Sequence, residues 1–373
     1  MKVVVPRADL LKGVLTVQNA VAAKQTMPIL ANILLEAKDN RFEFVATDLD
    51  MGIRCSVPAE VVDKGSITIN AKKISDLCRE LPDSNVDIET DENHRLIMVC
   101  QKSQFKIHGM PKDDFPILPD VRKEKAYKIK GSVFLEMVRK TLFAVSTDDG
   151  RYVLNGVFFN VEGNRLKMVS TDGHRLAFIQ KKLEGKGDNP CSVIIPTKTL
   201  NEVSKIVSDA SKGKEDEIVV EVTATDNQIK FVVAGVEIVS RLIEGQFPNY
   251  KQVIPKDSDK KVEADVAALA AATRRVSILA SEKSYSVRYK LETNNLVIST
   301  KTPDIGESRE EIAVDFPGGE DLAIAYNAKY VLDVLKNVGT EKVILELTQP
   351  LNPGVFRPKG DADYLCVIMP MRV

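Results

Sequence analysis

Apolar residues recur along this chain with two spacings, helical and strand-like, and the order in which the two alternate is itself repeated. Residues 8–21, ADLLKGVLTVQNAV, place Leu10, Leu11, Val14, Leu15 and Val21 at helical spacing. MPILANILLEAKDNRFEFVATDLDMGIRC then alternates as strands do, with turns at Lys38-Asp39-Asn40 and near Thr47-Asp48. Residues 70–82, NAKKISDLCRELP, are helical again and stop at a proline that cannot continue the helix. Strand-like VDIET, RLIMVCQ and SQFKIHGM follow and end at DDFP, residues 113–116.

The second third repeats this order. SVFLEMVRKTLFAV (132–145) predicts a helix, DGRYVLNGVFFNVEGNRLKMVSTDGHRLAFI a block of strands, PTKTLNEVSKIV (196–207) a second helix, and EIVVEVTATDNQIKFVVAGVEIVSRLIEGQFP the closing strands. The last third runs DVAALAAATRRVSIL (265–279), VRYKLETNNLVIST, NAKYVLDVLKNV (327–338), VILELT and YLCVIMPMRV. Anchors line up across the copies. Thr47-Asp48 and Thr171-Asp172 lie 124 positions apart, Phe115-Pro116 and Phe247-Pro248 132, and the two Asn-Ala-Lys triplets at 70 and 327 are 257 apart. A third of 373 residues is about 124, so three tandem α+β domains, each with two helices on antiparallel sheets, account for nearly the whole chain. Their expected bounds are 1–122, 123–252 and 253–373. The joins ILPDVRKEKAYK and NYKQVIPKDSDKK carry proline and charge without periodicity, as linkers do.

Composition narrows the chemistry. Apolar residues make up 44%, Trp is absent, and no apolar run approaches membrane-spanning length. The opening MKVVVPRADLL meets charge too early for a signal peptide, so a cytoplasmic location is expected. A net charge of −1 argues against a surface that is basic throughout, but not against one local basic surface. Cys55, Cys78, Cys100, Cys191 and Cys366 are scattered and read as buried free thiols. His94, His108 and His174 are isolated, so no metal site is expected. GxxxxGK[ST] is absent and no GxGxxG follows a strand, so no nucleotide cofactor is expected. Asp113-Asp114 and Glu310-Glu311 are adjacent carboxylates that point to opposite faces of a strand, unsuited to acid–base work.

One stretch, MVSTDGHRLAF (168–178), offers a nucleophile with its base, since Ser170, Asp172 and His174 fall within five residues. A triad normally draws its members from separate parts of a fold. The first copy has Ala46-Thr47-Asp48 at the same place, without the serine or the histidine. Thr-Asp therefore reads as a recurrent turn, with Gly173 free to take positive φ. GHRL belongs to the second copy alone and marks a surface particular to it. A hydrolase centred on Ser170 and His174 is the competing reading, and a monomeric repeat scaffold that binds only proteins is a third.

Taken together, MPIL (27–30), ATDLDM (46–51), RYVLNG (151–156), STDGHRLA (170–177), GQFPNY (245–250), NAKYVLDVL (327–335) and the closing VIMPMRV resemble the bacterial DNA polymerase III β-subunit family, the sliding clamps. The resemblance covers residues 1–373. It implies a DNA clamp fold, without catalytic residues, metal or cofactor, that closes head to tail as a homodimeric ring around duplex DNA. It also implies tethering of the DNA polymerase III catalytic subunit, the clamp loader and other motif-bearing proteins, which confers processivity.

By that resemblance the dimer interface brings Phe105 and Ile107 to Ile278 and Leu279, with Arg309, Glu310 and Glu311 at the rim. The same apolar residues could instead fill their own domain's core. Lys24 sits where the family places a DNA contact. Helix residues Lys72, Lys73, Arg79, Arg139, Lys140, Lys198, Lys205, Arg274 and Arg275 would face the DNA, together with Lys12, Lys329 and Lys336. Each alone could be no more than a solvated helix face; all six helices carrying positive charge in a neutral chain suits phosphate contact without base readout. Asp148 would repel phosphate, which argues against DNA contact by its loop. The implied peptide pocket uses Leu154, Thr171, Gly173, His174, Arg175, Leu176, Pro248, Val253, Asn327, Tyr330, Val367, Ile368, Met369, Pro370, Met371 and Arg372. Gln252 stands where the family often has Arg, and Ser284 where an aromatic can occur, so motif preference is expected to differ.

Overall fold

The computed structural model describes residues 1–21, 27–121, 126–183, 190–255, 257–316 and 318–372. They form two compact units, Met1–Phe134 with Lys198–Leu242, and Leu135–Thr197 with Ile243–Val373.

In the first unit an eight-stranded antiparallel sheet runs Tyr127–Lys130, Val219–Ala224, Gln228–Val233, Val236–Arg241, Met51–Pro58, Arg41–Thr47, Asn32–Lys38, Gly65–Asn70. A five-stranded sheet runs Glu60–Asp63, Lys2–Pro6, Asn85–Thr90, Arg95–Cys100, Ser103–His108. Helices α1 (Arg7–Val17) and α2 (Ala71–Glu80) pack on them. α1 buries Leu10, Val14 and Val17, and it approaches so closely that a Cβ on Gly13 would lie 2.3 Å from the Phe44 ring. No larger residue fits there.

Helix α3 (Gly131–Leu142) begins in the first unit and ends in the second, and α4 (Thr197–Ser211) begins at the boundary between their residues. In the second unit the eight-stranded sheet runs Cys191–Pro196, Gly156–Glu162, Arg165–Thr171, Arg175–Lys182, Tyr364–Ile368, Gly354–Pro358, Lys342–Leu347, Lys260–Asp265. A four-stranded sheet runs Gly306–Ala313, Asn295–Thr302, Ser286–Glu292, Leu322–Asn327, and α5 (Val266–Val276) and α6 (Ala328–Asn337) pack with each other. All six helices fall where the spacing predicts them, with ends within a few residues.

The two eight-stranded sheets are built alike. Each joins one copy's three-stranded block to the last strand of the next copy. Ile53 stands opposite Ile238 in the first, and Ala177 opposite Cys366 in the second. The repeated Asn-Ala-Lys is a helix start in both places: Asn70 accepts from the Lys73 amide at 3.1 Å and Asn327 from the Lys329 amide at 2.9 Å. Capping of this kind satisfies an otherwise orphaned donor and contributes about 1 kcal/mol. Asp39 and Asn40 both take positive φ, 49° and 55°, which suits the tight hairpin read from their sequence. Among the described residues no helix is long and apolar enough to cross a membrane.

Candidate functional site

Strands Arg165–Thr171 and Arg175–Lys182 are joined by the Thr-Asp turn. The Thr171 hydroxyl donates to the Arg175 carbonyl at 2.6 Å and accepts from the Gly173 amide at 3.1 Å. One Asp172 carboxylate oxygen accepts from the amides of His174 and Arg175, both at 2.9 Å. The first copy reproduces this bond for bond. Thr47 donates to the Met51 carbonyl at 3.0 Å and accepts from the Leu49 amide at 3.0 Å, while Asp48 accepts from the amides of Asp50 and Met51 at 3.1 and 2.7 Å. Gly173 has φ 87° and Leu49, its counterpart, φ 79°. A Cβ on Gly173 would also lie 2.6 Å from Nη1 of Arg151, which donates to the Asp172 carbonyl at 3.1 Å. Glycine takes this conformation without strain, and a Cβ here would also have to push the Arg151 guanidinium aside.

The same geometry rules out the hydrolase reading. Ser170 is fully buried, and its hydroxyl donates to the Thr141 carbonyl at 2.5 Å, while His174 is exposed in the turn with its ring stacked on Tyr330. A nucleophile needs its base within hydrogen-bond reach and a path for substrate. Burial also pushes the thiols of Cys55, Cys78 and Cys366 up to about 12, so they stay protonated and unreactive.

Arg175 is the hub of the site. Its guanidinium donates to Asp172 at 3.1 Å, to Asp333 at 2.5 Å and to the Phe143 carbonyl at 2.6 Å, and it lies 4.6 Å above the Tyr330 ring. The His174 ring stacks on Tyr330 at 6.3 Å and 16°. Partial burial, reinforced by Asp172, pushes the Tyr330 phenol above its ordinary value, so the ring stays neutral. Sequence reading missed Asp333 and Phe143. Only the spacing of Asp333, three positions after Tyr330 on α6, could have suggested the first.

Beneath this polar cluster Leu154, Leu176 and Val367 pack with Phe247 and Tyr250. Leu154, Leu176, Val367 and Ile368 are 7, 2, 0 and 0% exposed, so they form the floor of the site. The accessible apolar groups are Val253 and Met369, with Pro248 also exposed. The closing segment is fixed to the site, because the Met369 amide donates to the His174 carbonyl and the Met371 amide to the Ala325 carbonyl, both at 2.8 Å. Pro370 lies between them and Arg372 is exposed beyond. The Thr171 hydroxyl serves the turn, and Asn327 caps α6.

The helix cations divide. Lys12, Lys72, Lys73, Arg139, Lys205, Arg274 and Lys336 are exposed. Arg79 pairs with Asp76, Lys198 with Asp48 and Arg275 with Glu310, and the Lys329 ammonium lies 3.5 Å above the Tyr285 ring. Lys140 corrects the sequence reading: its side chain is 6% exposed, held by Glu136 at 2.8 Å and Asp361 at 3.3 Å and seated over the Tyr364 ring. An ammonium so enclosed presents no charge to a phosphate. Lys24 lies outside the described residues. Ile278 is 73% exposed and Phe105, Ile107 and Leu279 are partly exposed, so none of the four is consumed by its own core. No group of three or more His, Cys, Asp and Glu side chains suited to a metal occurs among the described residues.

Comparison with known proteins agrees with this architecture. The family profiles described as DNA polymerase III beta subunit N-terminal, central and C-terminal domains match residues 1–119, 128–249 and 251–372. A curated relative from Pseudomonas putida, named "Beta sliding clamp", is 33% identical over the whole of both chains. The crystal structure of the DNA polymerase III subunit beta from Pseudomonas aeruginosa superposes with TM-score 0.95 at 31% identity, covering all of both chains. That of the DNA polymerase sliding clamp from Bacillus subtilis gives 0.95 at 31%, covering 100% of this chain and 99% of the other. With three tandem clamp domains of α+β type spanning its length, this chain belongs to the DNA polymerase III beta-subunit family of bacterial sliding clamps.

Proposed function

We propose that the protein is a non-enzymatic processivity clamp of the cytoplasm, a head-to-tail dimer that encircles duplex DNA and tethers the replicative polymerase and other partners, with domains at 1–122, 123–252 and 253–373. The observation that carries the reading is the pattern of strand junctions. At two joins the third strand of one copy's block pairs with the last strand of the next copy, Met51–Pro58 with Val236–Arg241 and Arg175–Lys182 with Tyr364–Ile368. The third copy's equivalent strand, Gly306–Ala313, and the first copy's last strand, Ser103–His108, are sheet edges with one neighbour each among the described strands. A second copy closes both edges by the junction already used twice, and closure removes the exposed ladders.

The internal junctions also give the register. Ile53 opposite Ile238 translates to Ser308 opposite Phe105 of the second copy, which sets Glu307 opposite Lys106. Opposite charges directly across an antiparallel pair are favourable, and like charges there are not. Lys106→Glu is therefore expected to lower the light-scattering mass from twice 41.2 kDa to one chain, and Glu307→Lys added to it to restore the dimer. A Lys106→Glu protein that remains dimeric, or a double variant that stays monomeric, contradicts the register.

The exposed cations on α1 to α6 support a non-specific phosphate-facing surface, attractive alike at every step along the duplex. The site around Arg175, with Val253 and Met369 accessible above an apolar floor, supports docking of short peptide segments. Opening such a ring for DNA is the work of a separate ATP-dependent loader.

A further inference from the structure

Beside the site around Arg175 the second unit has a groove of about 780 Å³. It is lined by hydroxyl residues, Ser284 among them, by four cations, Arg288, Lys301, Arg309 and Arg372, against one carboxylate, Glu307, and it is bordered by Met371. Met371 and Arg372 belong to the same closing segment that is bonded to His174 and Ala325, so the groove continues from the proposed docking site. Neither Arg288 nor Arg372 has an ion-pair partner among the described residues, while the Lys301 ammonium lies 3.5 Å from Glu307 with both side chains largely exposed.

Strand alternation gives the direction in which the groove faces. On Ser286–Glu292, Val287 and Tyr289 are buried, and Tyr289 hydrogen-bonds Thr273 of α5 at 3.1 Å; Arg288 points the other way. On the neighbouring strands Ser308 reaches the Val276 carbonyl of α5, whereas Lys301, paired with Glu307, stands on the opposite face. The charged groups Arg288 and Lys301 therefore stand on the sheet face away from α5, whose exposed Arg274 belongs to the helix-borne cations.

We infer that this groove takes an acidic flank of the partner peptides, the carboxylates of Asp or Glu residues next to the apolar anchors. The inference rests on the peptide-docking reading of the Arg175 site and adds what lies beyond it: charge complementarity to Arg288, Lys301 and Arg372, in continuity with the same closing segment. Nucleic acid is disfavoured as the occupant because the face is turned away from α5.

The test uses the full-length dimer and fluorescence polarisation. The probe is a short fluorescent peptide with Leu, Leu and Phe anchors, made neutral at both ends or carrying four glutamates at one end or the other. One acidic version is expected to bind about tenfold tighter than the neutral one at low salt, and the gain to vanish at about 1 M salt, where the Debye length is about 3 Å. Arg288→Glu with Lys301→Glu, shown by light scattering to remain dimeric because Lys301 neighbours Glu307 of the edge strand, is expected to remove that gain and leave the neutral peptide's affinity unchanged. A neutral peptide that does not bind overturns the docking reading itself. Neutral binding with no gain from glutamates at either end overturns the acidic-flank inference alone, as does a double variant that instead weakens binding of single-stranded oligo-dT.

Discussion

The turn at Thr47–Met51 and the turn at Thr171–Arg175 share four side-chain-to-backbone hydrogen bonds and a positive φ at the third position, yet they serve different ends. In the first, Leu49 carries an unfavourable φ of 79° with its side chain 44% exposed, and Met51 is buried at 2%. In the second, glycine relieves the φ, and Arg175, at the position of Met51, reaches out to Asp333, Phe143 and Tyr330. Hydrogen bonds common to both copies belong to the fold. Side chains that differ between them belong to the site, which is why a cluster that looks catalytic in isolation is half scaffold.

The strongest way to break this contrast is to give the second turn the first turn's residue. Arg175→Met removes the guanidinium from Asp333, from the Phe143 carbonyl and from the second carboxylate oxygen of Asp172, which keeps its two backbone donors. It is expected to destabilise the second unit by about 2–4 kcal/mol and to weaken docking of a Leu-Leu-Phe peptide by tenfold or more, read by thermal unfolding and polarisation. Unchanged affinity would remove Arg175 from the site.

Exchanging the third positions sharpens it further. Gly173→Ala forces a Cβ into a left-handed conformation and against Arg151, and is expected to cost more than about 1 kcal/mol. Leu49→Gly relieves strain of about 1–2 kcal/mol against a glycine entropy cost of about 0.5–1 kcal/mol, so a stabilisation of up to about 1 kcal/mol is expected. Opposite signs in thermal unfolding support one shared turn, and equal signs contradict it.

A smaller difference concerns acid. In the second unit, burial favours the neutral form of Glu136, but Lys140 at 2.8 Å and Lys181 at 2.9 Å outweigh it and hold the carboxyl below its ordinary 4.5. A lowered folded value means that this stabilisation is complete above the unfolded value and is lost as the pH falls through the folded one. Between about pH 5 and 3 the loss of stability should therefore be shallower in Glu136→Gln than in the parent, measured as melting temperature against pH. Parallel profiles would show that the pairing contributes nothing.

Much of this was legible in the sequence. Helical spacing located all six helices, and matching anchors identified the repeat, because both are local consequences of burying one face. The Asn-Ala-Lys triplets became helix caps, and Thr-Asp the shared turn. What escaped depends on residues distant in the chain. Periodicity on α3 does not separate Arg139 from Lys140; the burial of Lys140 is set by Asp361, 221 positions later. Asp333 likewise becomes a partner of Arg175 only when residues 158 positions apart are brought together. The burial of Leu154, Leu176, Val367 and Ile368 was not legible either, because a sequence does not tell the floor of a site from its surface.

Retention on DNA of defined topology tests the central claim most directly. The protein, placed on a nicked circular duplex by a clamp loader with ATP and separated by gel filtration at moderate salt, is expected to remain with the circle, and to be lost once a restriction enzyme linearises it. Equal retention on circle and linear DNA would contradict encirclement.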